Sequence, residues 1–506
     1  MNKKYKLLSV IISLLLITCL FASCSLKKGT SDSENSSNDS SSTVISNEVQ
    51  SLIDEDEVEV STDGTTAITL NNTSVSVSGS GAKADGSTVI ISSGGTYTVS
   101  GTLTDGRIVV DSEDEVTIIL DNANITCSYS SAIYVYNAKT CTVYLKEGTT
   151  NTLTDGSAYT YSDSYSSEAD EEPNACLYSK DDLVIAGSGS LTVNGNFNNG
   201  ITGKDTLKIE SVTVTVNAKN NGINGKDNLT VKNATLNVTA NGDALRSTND
   251  TDSTLGYIIA VSSNLTLTSG EDGIQAETYV SLGSSTVNIK SGGGNTATVS
   301  DDVSAKGIKA GTDITIDSGT FTIDSADDAI HSNNNITING GEFNLTTSDD
   351  GVHADNQLTV NAGTFTITAH EGLEATLITI NDGTVTINAS DDGINAAQKV
   401  TGVTPTVEIN GGNITISMGQ GDTDAIDSNG NITINGGTVN ITGQSPFDYD
   451  GTGALNGGEV YVNGTQITGL SNQFAGGMGG GMMGGQPQQG GQPQQGGGQG
   501  GPGFHG

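Results

Sequence analysis

The chain is poor in basic and aromatic residues. It carries 20 lysine and arginine residues against 58 aspartate and glutamate residues, which gives a formal net charge of −38. A charge of this sign repels nucleic acid and anionic membrane surfaces, so it argues against a nucleic-acid-binding function. Tryptophan is absent, and aromatic residues make up only 4% of the sequence.

Cysteine and histidine are scarce as well, with five and four residues. There is no CxxC pair and no cluster of cysteine and histidine, which argues against the common zinc sites. Two of the cysteines fall in the apolar N-terminal segment. The other three, Cys127, Cys141 and Cys176, lie in or beside predicted strands, and we expect buried thiols there. A disulfide between two of them after export is the alternative, and its connectivity does not follow from the sequence.

A short block, by contrast, recurs along the chain. It reads Asp-Asp-Ala-Ile at 327–330, Asp-Asp-Gly-Val at 349–352, His-Glu-Gly-Leu at 370–373 and Asp-Asp-Gly-Ile at 391–394. The final residues of these blocks are 22, 21 and 21 residues apart. Weaker copies end at Ile201, Ile223, Leu245, Ile274 and Ile308 before them and at Ile426 after them. A fixed period near 22 residues indicates a repeat architecture.

Each repeat contains three short stretches in which apolar and polar residues alternate, as in half-buried strands. Pairs of glycine, asparagine and aspartate separate them and are typical of turns. No segment has the 3.6-residue apolar period of a crossover helix. Three strands per turn predict an all-β fold, a parallel β-helix whose stacked turns share one core. The predicted interior rows are Ile314, Ile336, Leu358, Ile378 and Ile432; Phe321, Phe343, Phe365, Val385 and Val439; and Ile308, Ile330, Val352, Leu373 and Ile394. Thr315, Thr337, Thr359 and Thr379 would form an outward row, and Asn339, Asn361 and Asn410 would pair along the turns.

The N-terminal residues 1–24 have the pattern of an export signal, with lysines before a short apolar run. Cys24 follows Ala-Ser, as in a bacterial lipoprotein signal, so we expect it to be lipidated and to hold the chain on the outer face of the cell membrane. An ordinary cleaved signal is the alternative. Composition and periodicity predict four further segments. These are a disordered Ser/Asp-rich tether at residues 25–55, an N-terminal β cap at 56–132, the β-helix at 133–470 and a disordered Gly/Gln/Met/Pro tail at 471–506.

One long insertion, about residues 155–174, carries several tyrosines and carboxylates. Tyr159, Tyr161 and Tyr165 could contact sugar rings. A solvated surface loop is the alternative.

Stacking the repeats would place equivalent acids only ~4.8 Å apart. Two charges at about that distance repel by ~3.5 kcal/mol at an effective dielectric of 20. Lys306 occupies the second position of the block one turn before Asp328 and offsets part of this repulsion. Ca²⁺ suits the remainder, because carboxylates, asparagine side chains and turn carbonyls are its usual ligands. The candidate metal ligands are Asp327, Asp328, Asp349, Asp350, Glu371, Asp391 and Asp392. Solvated acids without a metal are the alternative.

A second polar row follows each block directly. Its members are Lys309, His331, His353, Glu374 and Asn395. Purely structural rows tend to repeat one residue type, so this variety, together with Lys306, predicts a ligand-binding strip. A solvated strip without a ligand is the alternative.

The chain from Val58 to the tail resembles a family of exported bacterial β-helix proteins described as carbohydrate-binding domain-containing proteins. The motifs that carry the resemblance are residues 95–106 (GTYTVSGTLTDG), 147–156 (EGTTNTLTDG), 179–183 (SKDDL), 306–310 (KGIKA), 327–332 (DDAIHS), 349–354 (DDGVHA) and 391–396 (DDGINA). The resemblance implies a right-handed parallel β-helix with bound Ca²⁺ and non-catalytic binding of cellulose or of acidic glycans such as polygalacturonate. His370 and Glu371 stand where Asp-Asp would be expected, which weakens the expectation of a metal at that turn.

The sequence predicts a monomeric, surface-anchored protein that binds polysaccharide with the help of Ca²⁺ and is not an enzyme. One alternative is a Ca²⁺-dependent pectate lyase with Lys306, Lys309 or Arg246 as the base, or a glycosidase with a carboxylate pair. The acids recur turn after turn, whereas a catalytic constellation normally occurs once, and this favours binding. The other alternative is a structural adhesin with a protein partner.

Overall fold

The computed structural model describes residues 46–61, 63–300, 302–419 and 423–472. The predictions for the signal, for lipidation of Cys24, for most of the tether and for most of the tail fall on residues outside these ranges. The described chain forms one helix and 45 strands, and consecutive turns pair in parallel as a β-helix. Among the described residues, no helix is long and apolar enough to cross a membrane.

The helix α1 spans Asn47–Asp54. The first strands are β1 Thr66–Asn72, β2 Ser74–Ser78, β3 Ala82–Asp85, β4 Thr88–Ile91, β5 Gly95–Leu103, β6 Arg107–Asp111 and β7 Glu115–Cys127. The next are β8 Ile133–Asn137, β9 Thr140–Leu145, β10 Thr150–Asp155, β11 Ala175–Ser179, β12 Leu183–Gly187, β13 Ser190–Gly195, β14 Asn199–Gly203, β15 Thr206–Glu210, β16 Thr213–Ala218, β17 Ile223–Gly225, β18 Asn228–Lys232, β19 Thr235–Ala240, β20 Leu245–Ser247, β21 Tyr257–Val261, β22 Asn264–Ser269, β23 Ile274–Ala276, β24 Val280–Gly283 and β25 Ser285–Ser291. The remainder are β26 Ile308–Ala310, β27 Asp313–Ile316, β28 Gly319–Ser325, β29 Ile330–Ser332, β30 Asn335–Ile338, β31 Glu342–Thr347, β32 Val352–Val360, β33 Thr364–Ala369, β34 Leu373–Ile380, β35 Thr384–Ala389, β36 Ile394–Ala396, β37 Thr406–Ile409, β38 Asn413–Met418, β39 Asp424–Ser428, β40 Asn431–Ile434, β41 Thr438–Thr442, β42 Ser445–Tyr449, β43 Gly453–Leu455, β44 Glu459–Val462 and β45 Thr465–Ile467.

From β8 onward the strands follow one another in threes, and each set of three is one turn; in the turns that begin with β32 and β34, one continuous strand covers the first two faces. We call the three stacked faces sheet 1 (with β26 and β29), sheet 2 (with β27 and β30) and sheet 3 (with β28 and β31). The register confirms the predicted interior rows: Ile330 pairs with Val352 in sheet 1 and Ile336 with Leu358 in sheet 2. In sheet 3, the rings of Phe321, Phe343 and Phe365 stack with centroids 4.8 and 4.4 Å apart. The aliphatic and aromatic side chains of all three faces meet in one continuous core.

Polar rows run along the stack as regularly as the apolar ones. The Asn361 side chain donates to Asn339 Oδ1 at 2.9 Å, and Asn339 in turn donates to Asp317 Oδ1 at 2.8 Å. The same row continues through Asn381, Asn410, Asn435 and Asn456 with one amide hydrogen bond at each step. The predicted pairing of these asparagines is therefore confirmed, and it satisfies turn amides that a stack would otherwise bury.

The glycine of the repeated block is required by the close approach of the following turn. A Cβ atom on Gly351 would lie 2.5 Å from the carbonyl oxygen of Gly372 and 2.5 Å from Ile367 Cγ2. The same holds at Gly372, where the carbonyl oxygen of Gly393 would be 2.4 Å away. Glycine thus sets the tight spacing of the acidic turns.

Cys127, Cys141 and Cys176 are buried free thiols, as expected. Burial raises the pKa of Cys127 to about 11 and that of Cys141 to about 12, which suits packing rather than reactivity.

The structure differs from the predicted domain bounds at the N-terminal side. Parallel stacking already begins with β1, which pairs with β5, so the β-helix starts well before residue 133. The antiparallel capping part is limited to the pairs β1–β2 and β3–β4. At the other end, the antiparallel pair β44–β45 closes the stack.

Residues 47–54, predicted as part of the disordered tether, instead form α1, which packs on sheet 2. Val49 and Leu52 are buried against Ile259 and Val261. At the N-terminus of the helix, the amide and hydroxyl of Ser46 both donate to Asp317 Oδ2 at 2.7 Å. At its C-terminus, Lys232 Nζ donates to the carbonyl oxygens of Ile53 and Glu55. The sequence prediction missed this helix because only two apolar residues in eight anchor it, too few for a visible helical period.

Candidate functional site

The repeated blocks place two rows of acidic side chains along the edge of the stack that precedes sheet 1. The first acids, Asp327, Asp349 and Asp391, form an outer acid row that is partly or fully exposed. The second positions form an inner acid row, with Asp328 and Asp350 only 2% and 6% exposed. The inner acid row consists of Asp272, Lys306, Asp328, Asp350, Glu371, Asp392 and Asp424.

One oxygen of the inner acids binds the backbone of the next turn. Asp328 Oδ1 accepts the amide hydrogen of Asp350 at 3.1 Å, and Asp392 Oδ1 accepts that of Asp424 at 3.1 Å. Asp272 Oδ1 likewise accepts the amide hydrogen of Lys306 at 2.8 Å. Part of the acid repeat is therefore structural. Asparagine stands at the same place in the earlier repeats, as Asn199 and Asn221. Asparagine offers the same side-chain oxygen acceptor as aspartate but carries no charge. The presence of asparagine at this position in the earlier repeats was therefore the sequence signal that the position accepts a backbone hydrogen bond.

At its N-terminal end, the inner acid row is neutralised by lysine. Lys306 Nζ lies 2.7 Å from both Asp327 Oδ1 and Asp328 Oδ2. Burial lowers the pKa of Lys306, but Asp328 and Asp327 outweigh it and raise that pKa above its ordinary value. Lys309 Nζ lies 3.6 Å from Asp272 Oδ2. Both lysines of the predicted strip thus pair with acids in this structure.

Two histidines bind the acids of the next turns. His331 Nδ1 lies 2.8 Å from Asp328 Oδ2, and His353 Nδ1 lies 3.1 Å from Asp350 Oδ2. Burial lowers the pKa of His353, but hydrogen bonds to Asp328 and Asp350 raise it to about 10, so this ring is charged at neutral pH. Burial raises the pKa of Asp328, whereas hydrogen bonds from His331 and His353 and the charge of Lys306 hold it well below its usual range. The two rows predicted separately therefore make one ion-pair network.

Beyond this network lie Glu371 and Asp392, whose carboxyl groups have raised pKa values. Burial, with the charges of Glu374 and Asp392, raises the pKa of Glu371 to about 7. Burial and the neighbouring Asp391 raise the pKa of Asp392 to about 6. Among the described residues, neither of these carboxylates forms an ion pair with lysine or arginine. Glu374 itself is paired, with Lys399 Nζ 2.9 Å from its Oε1.

Four groups of side chains could offer a cation three ligand atoms within 4.8 Å of one another. They are Asp327, Asp328 and Asp349; Asp328, His331 and His353; Asp350, His353 and Glu374; and His370, Glu371 and Asp391. The ammonium group of Lys306 already occupies the first. A protonated His353 competes with a metal in the second and third, and Ca²⁺ prefers oxygen to imidazole. The fourth group also contains a histidine, but His370 is half exposed and its Nδ1 lies 4.0 Å from Asp391 Oδ2, so Glu371 and Asp391 can offer oxygen ligands without it. The seven predicted ligands are therefore spread over several groups, and the turn of Glu371, where the sequence weakened the expectation of a metal, fits a hard cation best.

An orphaned oxygen supports that choice. The Asn395 side chain donates to Glu371 Oε2 at 2.9 Å, while its buried Oδ1 has no hydrogen-bond partner in the described structure. Buried acceptors are rarely left unpaired. Glu371, Asp391, Asp392 and Asn395 offer the carboxylate and amide oxygens that Ca²⁺ takes.

The register places the predicted strip in one outward row of sheet 1. Lys309 pairs with His331, His331 with His353, His353 with Glu374 and Glu374 with Asn395. The strip therefore exists as predicted in position, although its side chains largely bind the acids beside them.

The comparisons with known proteins identify the family. Residues 85–351 and 348–472 match the model of the carbohydrate-binding domain-containing protein family. The chain belongs to this family. A carbohydrate-binding domain-containing protein of Acetivibrio thermocellus is 46% identical over 207 residues, which cover 40% of this chain and 71% of the relative. A solved structure, the gadolinium derivative of the polysaccharide lyase-like protein from C. thermocellum, is 35% identical in sequence. The superposition covers 45% of this chain and 92% of the chain in that structure, with a TM-score of 0.43.

In this carbohydrate-binding chain, the outward row of sheet 1 extends past the predicted strip at both ends. Toward the C-terminus it continues through Asp427 and Asp448. Burial and the neighbouring Asp392 and Asp448 raise the pKa of Asp427 to about 7, so the charge excess continues there. The sequence signal was the weaker block at 423–426, which has Thr423 in place of the first acid and is followed directly by Asp427.

Toward the N-terminus the same row reaches the aromatic residues Tyr178 and Tyr134. The residues between them and Lys309 are Thr202, Asn224, Arg246 and Gln275. The insertion predicted at 155–174 packs beside them and is held by ion pairs, including Glu172 with Lys204 at 3.0 Å. Tyr159 stacks on Phe197 with centroids 4.2 Å apart. This tyrosine of the insertion serves packing in this structure, which differs from both the sugar contact and the solvated loop considered from the sequence.

Proposed function

We propose that this member of the carbohydrate-binding family is a surface-anchored, non-catalytic polysaccharide-binding protein that uses Ca²⁺ at the C-terminal end of the inner acid row. The observation that supports the metal is that carboxylate oxygens of Glu371 and Asp391 lie within 4.8 Å of each other, while Asn395, which binds Glu371, has a buried Oδ1 with no hydrogen-bond partner among the described residues. Bound Ca²⁺ would supply positive charge to acidic glycans, which the net charge of −38 otherwise repels.

In this proposal, residues at different positions along the row have different roles. Glu371, Asp391, Asp392 and Asn395 would hold the cation, and Asn395 also positions Glu371 through its amide hydrogen bond. Lys306 and His353 offset the charge of the preceding acids, and His331 binds Asp328, so that the orientation of these carboxylates is fixed. Asp427 and Asp448 would extend the anionic surface on which Ca²⁺ could link protein and uronate carboxylates.

The state of the basic residues favours binding over catalysis. A lyase needs a basic side chain free to remove a proton from the sugar. Lys306 is held at 2.7 Å by two carboxylates, and Arg246 Nη1 lies 3.4 Å from Asp243 Oδ2. The two carboxylates raise the pKa of Lys306 and keep it charged, and a charged group does not act as a base. Lys309 has a longer pairing of 3.6 Å with Asp272, so it is the residue to change in a test of lyase activity.

The test is a polysaccharide array probed with the full chain in Ca²⁺ and in EDTA, together with calorimetric titration of Ca²⁺. We expect Ca²⁺ to bind and polygalacturonate to be retained only in its presence. Asp392→Asn should weaken both, whereas Asp324→Asn, an acid outside the row that pairs with Lys290, should not. Absence of Ca²⁺ binding would refute the metal. Release of unsaturated sugars that stops in Lys309→Ala would refute the non-catalytic role.

A further inference from the structure

A groove on sheet 2, away from the acid rows, has the composition of a second ligand site. It has a volume of about 370 Å³ and lies beside α1. Its lining combines Tyr279 and Glu48 with outward polar residues of four strands, β24, β27, β30 and β32. Among the residues that the structure describes, no lysine or arginine lines it. We propose that this groove binds a segment of an uncharged polysaccharide chain, independently of Ca²⁺.

The aromatic end of the groove is a stack of two tyrosines. Tyr257 and Tyr279, one turn apart, have ring centroids 4.8 Å apart and planes only 8° from parallel. Tyr257 covers the face of Tyr279 toward the preceding turn. In the following turn the equivalent position is Asp313, a shorter side chain, because Val280 pairs with Ile314. The second face of Tyr279 is therefore directed into the groove, where the C–H face of a sugar ring could pack on it.

The floor of the groove offers hydrogen bonds in a regular row. Thr315 pairs with Thr337, and Thr337 with Thr359, so hydroxyl groups repeat at the turn spacing of ~4.8 Å. Beside them Asp313, Asn335 and Gln357 form a second row. Asn335 donates to Asp313 Oδ1 at 2.9 Å, which fixes the orientation of both side chains. A flat, repeating polar surface of this kind suits an extended chain with many hydroxyl groups.

Helix α1 gives the groove a fixed wall. Val49 packs so closely on Gly283 that a Cβ atom there would lie 2.6 Å from Val49 Cγ1. Ser46 and Lys232 hold the two ends of the helix. Because the wall is anchored, the groove is formed before a ligand arrives, which lowers the entropic cost of binding.

The charge of the groove selects the ligand class. Glu48 and Asp313 line it without a basic residue, so uronates, phosphates and nucleic acids would be repelled. The polar floor disfavours lipids and apolar peptides. Carboxylate and amide oxygens accept hydrogen bonds from sugar hydroxyls, and Tyr279 offers an apolar face. An uncharged glycan satisfies all of these groups.

This inference rests on the proposed polysaccharide binding but not on the proposed metal. The test is affinity electrophoresis and calorimetry of the full chain with a panel of neutral glycans: cellulose and cello-oligosaccharides, xylan, xyloglucan, mannan and starch, each in Ca²⁺ and in EDTA. We expect at least one to bind equally in both. Tyr279→Ala should weaken it about tenfold or more, a loss of about 1.4 kcal/mol, and Thr337→Val by a smaller factor.

Two controls separate a lost contact from a lost fold. Tyr279→Phe keeps the ring and should retain most of the affinity. Tyr461→Ala removes a tyrosine of the C-terminal strand β44 and should leave binding unchanged. Binding of no neutral glycan, or binding that Tyr279→Ala does not change, would overturn the groove as a glycan site while leaving Ca²⁺ binding untouched. Neutral binding that is lost in EDTA or in Asp392→Asn would overturn the groove and assign the glycan to the acid rows instead.

Discussion

The two ends of the inner acid row have similar backbone geometry but differ in how their charge is offset. At the N-terminal end, Lys306 lies within 2.7 Å of two carboxylates, and His353 carries a proton between Asp328 and Asp350. Burial raises the pKa of Asp350 in that network to about 8 as well, so raised values occur in both halves of the row. Glu371 and Asp392 at the C-terminal end differ in having, among the described residues, no lysine or arginine ion-pair partner beside their raised pKa values. The fold tolerates the acids at both ends, so the difference lies in what supplies the positive charge.

The comparison of the two ends distinguishes the part of the acid row that supports the fold from the part that is available to a ligand. The backbone hydrogen bond to an inner carboxylate is present at both ends, from Lys306 to Asp272 and from Asp424 to Asp392. It therefore accounts for the recurrence of Asp and Asn, but not for the missing cations. Lys306 offsets the acids at one end, and we propose that the other end takes up a cation from solution. Variants that remove, exchange or transplant these charges test this division.

Loss of the buried lysine should be the most damaging change. Lys306→Met leaves Asp327 and Asp328 without their ammonium partner, and breaking a buried pair costs ~3–5 kcal/mol. We expect that loss in the free energy of unfolding, measured by urea denaturation in EDTA. Lys290→Met is the matched control, because Lys290 is 53% exposed beside Asp324 and should cost only ~0–1 kcal/mol. Equal losses in the two variants would show that the inner acid row is not specially dependent on lysine.

Removal of Ca²⁺ should destabilise the protein through the C-terminal end of the row. At free Ca²⁺ 100-fold above its Kd, binding stabilises the folded state by ~2.7 kcal/mol, which EDTA would remove. Urea denaturation with Ca²⁺, with Mg²⁺ and with EDTA measures the difference. Asp392→Asn should abolish the response, whereas Asp272→Asn, at the lysine-paired end, should preserve it. A response lost in Asp272→Asn and kept in Asp392→Asn would reverse the assignment of the two ends.

A transplanted lysine should convert one end into the other. Lys306 stands one turn before Asp327 and Asp328, and Glu371 stands one turn before Asp391 and Asp392. Glu371→Lys should therefore pair with both acids and stabilise the EDTA form by ~1.5–3 kcal/mol, the range for hydrogen bonds to charged groups. The Ca²⁺ response should disappear at the same time. Glu371→Gln removes the charge without supplying a cation, so a similar gain there would attribute the effect to lost repulsion rather than to a new ion pair.

Much of the fold followed from the sequence, because one period of about 22 residues set the register of three sheets at once. The Phe321 and Asn339 rows could be predicted from spacing alone, since equivalent residues of a stack must meet. Residue order along the chain does not give side-chain direction. It could not show that His331 turns toward Asp328 instead of toward solvent. The groove beside α1 was missed for a similar reason, since residues as distant as Glu48 and Gln357 meet only in the folded chain.

The smallest effect we expect is the pH dependence of the Ca²⁺-free protein. Burial raises the pKa of Glu371 from 4.5 to about 7 and that of Asp427 from 3.8 to about 7. At a pH between the unfolded and the folded pKa values, the folded state binds more protons than the unfolded state. The free energy of unfolding in EDTA should therefore be highest near pH 4 and should fall as the pH rises to about 7. Each group contributes a slope of at most ~1.4 kcal/mol per pH unit, reduced by solvent screening.

The two ends of the row should be distinguishable by this slope. Glu371→Gln removes one of the raised pKa values and should flatten the fall measured by urea denaturation across pH 4–8. Asp272→Asn, at the lysine-paired end, should leave it unchanged. Added Ca²⁺ should oppose the fall, because the metal binds the deprotonated carboxylates and binds more tightly as pH rises. A fall of the same steepness in Ca²⁺ and in EDTA would mean that these carboxylates do not hold the ion, and that the C-terminal end tolerates its charge through partial protonation.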